Sequence, residues 1–206
     1  MDGLLLDTER VALRAFQDVV APFGMGAPEA EGLFLTLIGS SGGQTRARLA
    51  ELFPDHADTV DSRWNACFAD HLESGVPLRP GAFETVTRLA RKGVAMAVVT
   101  STGRDRARHH LDRVGLLPAF VDVIGGDSVT SNKPHPEPYL KGALAVARDP
   151  ANCVAFEDSD TGTRAAVAAG CRVWQIPDLR PPGLALPDLG QAVATTLVEA
   201  VEAAGL

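Results

Sequence analysis

The sequence is poor in cysteine and has no long apolar run. Its three cysteines form no Cys-x-x-Cys pair, and an odd number without close spacing predicts neither a disulfide framework nor a zinc cage. No apolar stretch approaches the ~18 residues that a membrane helix requires. The N-terminus also lacks the basic-then-apolar order of a signal peptide. These absences favour a soluble protein of the reducing cytoplasm with no membrane partner.

Positive charge is also scarce, since 19 Lys and Arg residues face 26 Asp and Glu residues, giving a net charge of −7. A general nucleic-acid binder needs clustered basic side chains to displace counterions from phosphates, so nucleic acid is not the expected partner. A few local basic groups could still hold a small phosphate. With 46% hydrophobic and 22% charged residues, the composition is that of a folded globular protein.

From about residue 81 onward, helical patterns alternate with short apolar runs, which predicts strand–helix–strand units and a parallel sheet. Each run is nearly continuous in apolar residues, as a strand covered on both faces must be. The predicted strands are Ala95–Thr100, Val121–Gly125, Cys153–Phe156 and Arg172–Ile176. The predicted helices are Gly81–Arg91, Arg104–Val114, Glu137–Ala147, Gly162–Ala169 and Leu189–Ala203.

Residues 12–76 show no strand pattern. They indicate helices separated by turns at Gly24–Pro28, Gly39–Gly43 and Phe53–His56, where glycine and proline interrupt regular structure. We therefore expect an all-helical domain over 12–76, inserted into an α/β domain formed by 1–11 and 77–206.

Polar residues follow three of the apolar runs, at the sheet edge where open α/β proteins bind ligands. Thr100 and Ser101 precede a predicted helix, whose free N–H groups and nearby hydroxyls could hold a phosphate. A simple helix cap is the alternative. Lys133 lies between Asn132 and Pro134 in the loop after the second run, where the amine could face an anion or merely be solvated.

The third apolar run ends in Glu157-Asp158-Ser159-Asp160, three acids in four residues. Clustered carboxylates repel one another unless a cation lies among them, and hard oxygen ligands suit Mg²⁺. Of these, Asp158 is the expected direct ligand. An acidic helix cap is again the alternative.

These segments, in this order and together with the N-terminal stretch, resemble the haloacid dehalogenase superfamily, and most closely its β-phosphoglucomutase-like phosphatases with a helical cap. The resemblance spans nearly the whole chain. It implies a Rossmann-like α/β core with an inserted cap, and a monomer or weak dimer. The segments that carry it are Met1-Asp2-Gly3-Leu4-Leu5-Leu6-Asp7-Thr8-Glu9, Val98-Val99-Thr100-Ser101, Lys133-Pro134-His135-Pro136 and Phe156-Glu157-Asp158-Ser159.

The resemblance implies phosphoryl transfer from a small phosphate ester through an aspartyl-phosphate, with Mg²⁺ as cofactor. Asp2 matches the family's acid/base and contributes to the metal site through its backbone carbonyl. Thr100 matches the phosphate-binding hydroxyl, and Lys133 matches the lysine that neutralises the transferring group. The metal-binding acidic pair is matched by Glu157 and Asp158.

The family's nucleophilic Asp would stand directly before Met1, at the end of a central strand that would also precede it. We therefore expect a start assigned too late and a 206-residue chain that is inactive as written. A catalytically inactive regulator that binds phosphate or Mg²⁺ is one alternative. A β-phosphoglucomutase is another, which Gly42 and Ala12 disfavour because they stand where the mutase has its phosphate-gripping Arg and its His. Hydrolysis of a sugar phosphate is therefore the expected activity.

Overall fold

The computed structural model of the protein describes residues 1–38, 42–181 and 183–206, and the chain divides into two compact units. The core unit comprises Met1–Leu6, Leu78–Asp178 and Leu186–Leu206. The helical unit comprises Asp7–Pro77 and Leu179–Ala185. The helical unit thus begins a few residues earlier than expected and takes in a late segment, Leu179–Ala185, that the sequence pattern assigned to the α/β domain.

The described residues of the helical unit form four α-helices, α1 (Thr8–Val20), α2 (Ala27–Leu37), α3 (Gly42–Leu52) and α4 (Ala57–Ser74), and a short 3₁₀ helix, Ala21–Phe23, that follows α1. These described residues contain no strand, in agreement with the absence of a strand pattern. Most of the turn expected at Gly39–Gly43, including Gly39, Ser40 and Ser41, lies outside the described residues.

The core of the helical unit is aromatic. Buried residues recur every three or four positions along α1, which is the spacing that places side chains on one face of a helix. The ring of Phe16 on that face lies 4.8 Å from Trp64 and 6.2 Å from Phe34, centroid to centroid. The indole nitrogen of Trp64 donates a hydrogen bond of 3.0 Å to the Ala12 carbonyl, which fixes α4 against α1.

The core unit is a parallel α/β arrangement of two small sheets. Its strands are β1 (Ala97–Val99), β2 (Asp122–Ile124), β3 (Val154–Glu157), β4 (Arg172–Gln175) and β5 (Ala192–Val193). Its helices are α5 (Ala82–Arg91), α6 (Arg104–Arg113), α7 (Glu137–Ala145), α8 (Asp160–Ala168) and α9 (Leu197–Ala203). The four apolar runs each overlap a strand, so the predicted α/β class with parallel sheets is confirmed.

All strand pairs in the described sheets are parallel. β1 pairs with β2 in a register that places Val98 beside Val123. β3 pairs with β4, and β4 with the short edge strand β5. Parallel strands place their carboxyl ends at one edge, so the residues that follow β1 and β3 mark the edge where a site is expected.

Two elements of the core unit differ from the prediction. The last helix begins at Leu197 rather than at Leu189, because the Thr196 side chain caps it by accepting the backbone N–H of Glu199 at 3.1 Å. The preceding stretch contains β5. Helix α8 begins two residues before the predicted Gly162, with Ser159 as its N-cap.

Among the described residues, no helix is both long enough and apolar enough to span a membrane.

Candidate active site

Lys133 connects the ends of β1 and β3. Its Nζ donates to the carbonyl of Val99, the last residue of β1, at 3.2 Å and to Oε1 of Glu157, the last residue of β3, at 2.5 Å. The Lys133 side chain is only 9% exposed. A buried ammonium group needs such partners, because an unpaired charge away from water is costly.

Glu157 is the most heavily bonded carboxylate of the site. In addition to Lys133, it accepts a hydrogen bond from the buried Tyr139 hydroxyl and one of 3.2 Å from the Ser159 hydroxyl. Burial alone would raise the pKa of Glu157, but the charges of Lys133 and of the Met1 α-amino group outweigh it and hold the pKa below its ordinary value. Glu157 is therefore ionised and fixes the lysine.

The pKa of Asp158 is shifted in the opposite direction to that of Glu157. Burial, and then the negative charge of the adjacent Glu157, raise the pKa of Asp158 from 3.8 to about 7. Lys133 and the Met1 α-amino group act in the other direction without offsetting this. Burial and the charge of Glu157 thus both disfavour the ionised form of the Asp158 carboxyl.

Asp2 is held by two threonine hydroxyls. Its Oδ2 accepts hydrogen bonds from Thr100 at 3.2 Å and from Thr102 at 2.9 Å. The Thr102 backbone N–H in turn donates to the Thr100 hydroxyl at 3.2 Å. The loop after β1 therefore orients the Asp2 carboxylate.

A tight turn brings Gly3, the residue after Asp2, next to Asp158. Gly3 has φ +71° and donates its N–H to the Leu6 carbonyl at 2.9 Å, a conformation that glycine adopts without steric cost. A Cβ at Gly3 would lie 2.4 Å from Oδ2 of Asp158. The close approach of the two segments therefore requires glycine at this position.

The site thus brings together five of the six predicted residues: Asp2, Thr100, Lys133, Glu157 and Asp158. Ser101 is exposed, and the hydrogen bonds that converge on Asp2 do not include it. Its predicted role in phosphate binding stays a prediction.

Three other residues of the site were missed: Thr102, Tyr139 and Ser159. Thr102 stands two residues after Thr100, a spacing that returns a side chain to the same side of an extended segment. Tyr139, the only tyrosine of the chain, also places its ring 5.3 Å from the Lys133 ammonium. Its position six residues after Lys133 gave no signal, because the contact depends on how α7 packs.

The donor set fits a hard divalent cation. Carboxylate oxygens such as those of Asp158 are the ligands that Mg²⁺ prefers. The pKa of Asp158 is raised mainly by burial and then by Glu157, and a bound cation would stabilise the ionised form of the carboxyl. The oxygens of Glu157 already accept from Lys133, Tyr139 and Ser159. These bonds compete with direct metal binding by Glu157, and metal binding by either residue stays a prediction.

Comparison with known proteins identifies the family. The sequence profile of the haloacid dehalogenase-like hydrolases matches residues 1–176. The chain belongs to this family. The resemblance inferred from the four sequence segments is thereby confirmed, and the protein is a haloacid dehalogenase-like hydrolase.

Relatives of this hydrolase match it over almost its full length. A phosphorylated carbohydrates phosphatase from Thermotoga maritima is 29% identical over 98% of this chain and 93% of its own. A haloacid dehalogenase family hydrolase from Deinococcus radiodurans, solved with bound phosphate and sodium, is 30% identical with a TM-score of 0.78, covering 99% of this chain and 91% of its own. A candidate β-phosphoglucomutase from Thermotoga maritima has 26% identity and a TM-score of 0.81, covering 100% of this chain and 95% of its own.

Proposed function

We propose that this hydrolase is a Mg²⁺-dependent phosphatase that cleaves a small phosphorylated metabolite, with sugar phosphates as the leading substrate class. The observation that carries the proposal is the cluster in which Lys133, Asp2 and Asp158 meet at the carboxyl ends of β1 and β3. The phosphatase activity of the Thermotoga relative and the phosphate bound to the Deinococcus relative support it.

Each of these side chains suits one task in phosphate ester hydrolysis. An ammonium group has three protons, and Lys133 uses two of them on Val99 and Glu157, which leaves one for a phosphate oxygen. The single proton of the Thr100 hydroxyl is donated to Asp2 in this structure, and it would turn to the same phosphate when the ester binds. Asp2, oriented by Thr100 and Thr102, can give a proton to the leaving oxygen and then take one from water.

The metal would be held by Asp158 and the backbone carbonyl of Asp2, with Glu157 alongside. When bound, Mg²⁺ supplies positive charge that offsets the phosphate and orients it for in-line attack.

The phosphoryl acceptor in this proposal is an aspartate joined directly ahead of Met1. The α-amino group of Met1 is close enough to Glu157 and Asp158 to lower the pKa of both carboxyls. A residue joined to that group would therefore lie among these carboxylates and Lys133, which is where a nucleophile must stand to receive the phosphoryl group.

The test is a screen of phosphorylated metabolites, with Mg²⁺, against the protein extended ahead of Met1 by an apolar strand ending in Asp. Release of inorganic phosphate from a sugar phosphate is expected, with most of that activity lost in Asp158→Asn. An Asp158→Asn variant that binds Mg²⁺ and turns over like its parent would contradict the metal assignment.

The same screen separates the two alternatives. Interconversion of β-glucose 1-phosphate and glucose 6-phosphate without net phosphate release would show a mutase, the activity ascribed to the candidate β-phosphoglucomutase. Binding of phosphate with no turnover of any ester would indicate a noncatalytic regulator. Either result would overturn the proposed hydrolysis.

A further inference from the structure

A second group of potential metal ligands lies in the helical unit, on α1 and α4. Cys67 and His71 are four residues apart on α4, a spacing that places both side chains on one face of the helix. Asp18, near the end of α1, completes the group. Their ligand atoms all lie within 4.8 Å of one another.

The distances are close to those of a tetrahedral metal centre. Sγ of Cys67 is 3.7 Å from Nε2 of His71, and that nitrogen is 3.9 Å from Oδ2 of Asp18. Typical zinc–ligand bonds of ~2.3 Å to sulfur and ~2.0–2.1 Å to nitrogen and oxygen imply separations of about 3.6 Å and 3.4 Å in a tetrahedron. The third separation, from Sγ of Cys67 to a carboxylate oxygen of Asp18, is at most 4.8 Å, so side-chain adjustments of up to about 1 Å would form such a centre.

The local charge also favours a cation. Burial, and then the carboxylates of Asp18 and Asp70, raise the pKa of the Cys67 thiol, because negative charges beside it disfavour the thiolate. A divalent cation would reverse this balance by pairing with the thiolate and the Asp18 carboxylate together. The side chains of Asp18 and His71 are 67% and 35% exposed, so an ion can enter from solvent.

We propose that Asp18, Cys67 and His71 form a binding site for a divalent transition metal, with Zn²⁺ as the leading candidate. On binding, a metal–sulfur bond forms and the thiol proton passes to solvent. Three protein ligands leave a fourth position open to water or to an exogenous ligand. A bound ion would also clamp α1 to α4.

The mixed ligand set separates this site from the proposed Mg²⁺ site. A thiolate and an imidazole select Zn²⁺, Co²⁺ or Cu²⁺, whereas carboxylates and carbonyls suit Mg²⁺. The inference does not rest on the proposed phosphatase activity. The number and spacing of the cysteines predicted no zinc cage, and the proposed site differs from such a cage because its third ligand, Asp18, comes from another helix.

The test is a titration of the untagged 206-residue protein with Co²⁺, followed by displacement with Zn²⁺. A thiolate-to-cobalt charge-transfer absorbance, intense tetrahedral visible bands and one equivalent of metal are expected, with Zn²⁺ abolishing the signal. Cys67→Ala should remove the charge-transfer absorbance. His71→Ala and Asp18→Asn should each weaken Zn²⁺ binding at least tenfold.

Two controls make the result decisive. Cys153→Ala removes another partly buried cysteine, in the core unit, and Asp158→Asn removes the predicted Mg²⁺ ligand. Both should leave the Co²⁺ spectrum and the Zn²⁺ affinity unchanged. The absence of a thiolate band in the parent, or its persistence in a folded Cys67→Ala variant, would overturn the proposal. Asp18 is exposed, so Asp18→Asn tests the site without disturbing the core.

Discussion

Two adjacent carboxyls, Glu157 and Asp158, differ in charge state because their partners differ. The ammonium of Lys133, together with the Tyr139 hydroxyl, stabilises ionised Glu157, whereas Asp158 is buried beside a charge of its own sign. A pair of titratable groups whose pKa values move apart is typical of functional sites. The folded protein therefore has two pH-dependent contributions of opposite sign.

The first prediction concerns the pH dependence of stability in the metal-free protein. The folded pKa of Asp158 is about 7 and the ordinary value is 3.8. Between these values the folded state keeps a proton that the unfolded chain has released, so the Asp158 contribution falls as pH rises and levels off above about pH 7. The lowered pKa of Glu157 acts in another window, because its stabilisation is lost only as pH falls below about 4.5.

Urea denaturation with a chelator, from pH 5 to pH 8, tests this prediction. The parent should lose stability relative to Asp158→Asn as pH rises to about 7, because asparagine does not titrate. Contributions of the histidines cancel in the comparison. Parallel curves for the two proteins would show that the pKa of Asp158 is not raised. Added Mg²⁺ should stabilise the parent more than the variant.

A second prediction also concerns a single residue, Gly162, inside α8. Alanine usually stabilises a helix interior by ~0.8–1 kcal/mol relative to glycine. Here, however, a Cβ would lie 2.1 Å from Cδ of Glu157, and forced overpacking costs ~1–3 kcal/mol. Gly162→Ala should therefore destabilise the protein and, in the protein extended ahead of Met1, reduce phosphate release, since it displaces the carboxylate that holds Lys133.

Gly32→Ala is the matched control, because Gly32 also lies inside a helix, α2, and a Cβ there would meet nothing within 4 Å. It should stabilise the protein by up to ~1 kcal/mol. Urea denaturation of both variants checks the signs. A stabilised Gly162→Ala variant with full activity would mean that Glu157 tolerates displacement.

At the scale of elements, the sequence predicted the strands that are buried and missed the one that is not. Each of the four short apolar runs overlaps a strand, because only continuous apolar sequence fits between two helical layers. Strand β5, Ala192–Val193, is two residues long and partly exposed. Its pairing with β4 depends on the position of the neighbouring strand, which local sequence does not encode.

The candidate site likewise contains residues that the sequence predicted and residues that it missed. Residues at strand ends, such as Thr100 and Asp158, were predictable because topology alone places them at one edge. Tyr139 and Ser159 were not, because each contributes through a contact with Glu157 that depends on helix packing and capping. The segment Leu179–Ala185 joined the helical unit for a similar reason, since the Leu179 backbone N–H donates to Glu9 on α1 at 3.1 Å.

The third prediction compares two helix caps. The Ser159 hydroxyl accepts the Gly162 N–H at 3.1 Å and donates to Glu157 at 3.2 Å, whereas Thr196 caps α9 at a distance from the site's hydrogen bonds. Either cap, replaced by alanine, should cost ~1 kcal/mol of stability. In the protein extended ahead of Met1, only Ser159→Ala should also reduce phosphate release, by ~10–100-fold, as losses of supporting contacts do.

Thermal denaturation and phosphate-release assays on the two cap variants provide the comparison. If Thr196→Ala lowers activity as much as Ser159→Ala does, the effect is general destabilisation. If neither lowers it, the contact between Ser159 and Glu157 does not support the site.

At the scale of the core unit, a gap separates the two sheets. In the described sheets, β1 pairs only with β2, and β3 pairs only with β4. A cavity of about 430 Å³ is bordered by residues of both strands, including Val98 and Ala155, and by Leu4 and Leu5. Two unpaired parallel edges that flank an apolar cavity form a slot for one more strand.

The last prediction is that a strand joined ahead of Met1 fills this slot. An apolar extension of about six residues, a typical strand length, should raise the melting temperature. Each buried apolar side chain contributes ~1.5–3 kcal/mol, and each kcal/mol is worth ~2–4 °C in a chain of this size. An extension of equal length made of Gly and Ser should give no such rise.

An apolar extension that ends in Asp should also give the protein phosphate-releasing activity. The same extension ending in Asn should keep the raised melting temperature but lack that activity. Equal phosphate release from the extended and the 206-residue proteins would show instead that the nucleophile lies within residues 1–206, and the aspartyl-phosphate route proposed above would have to be abandoned.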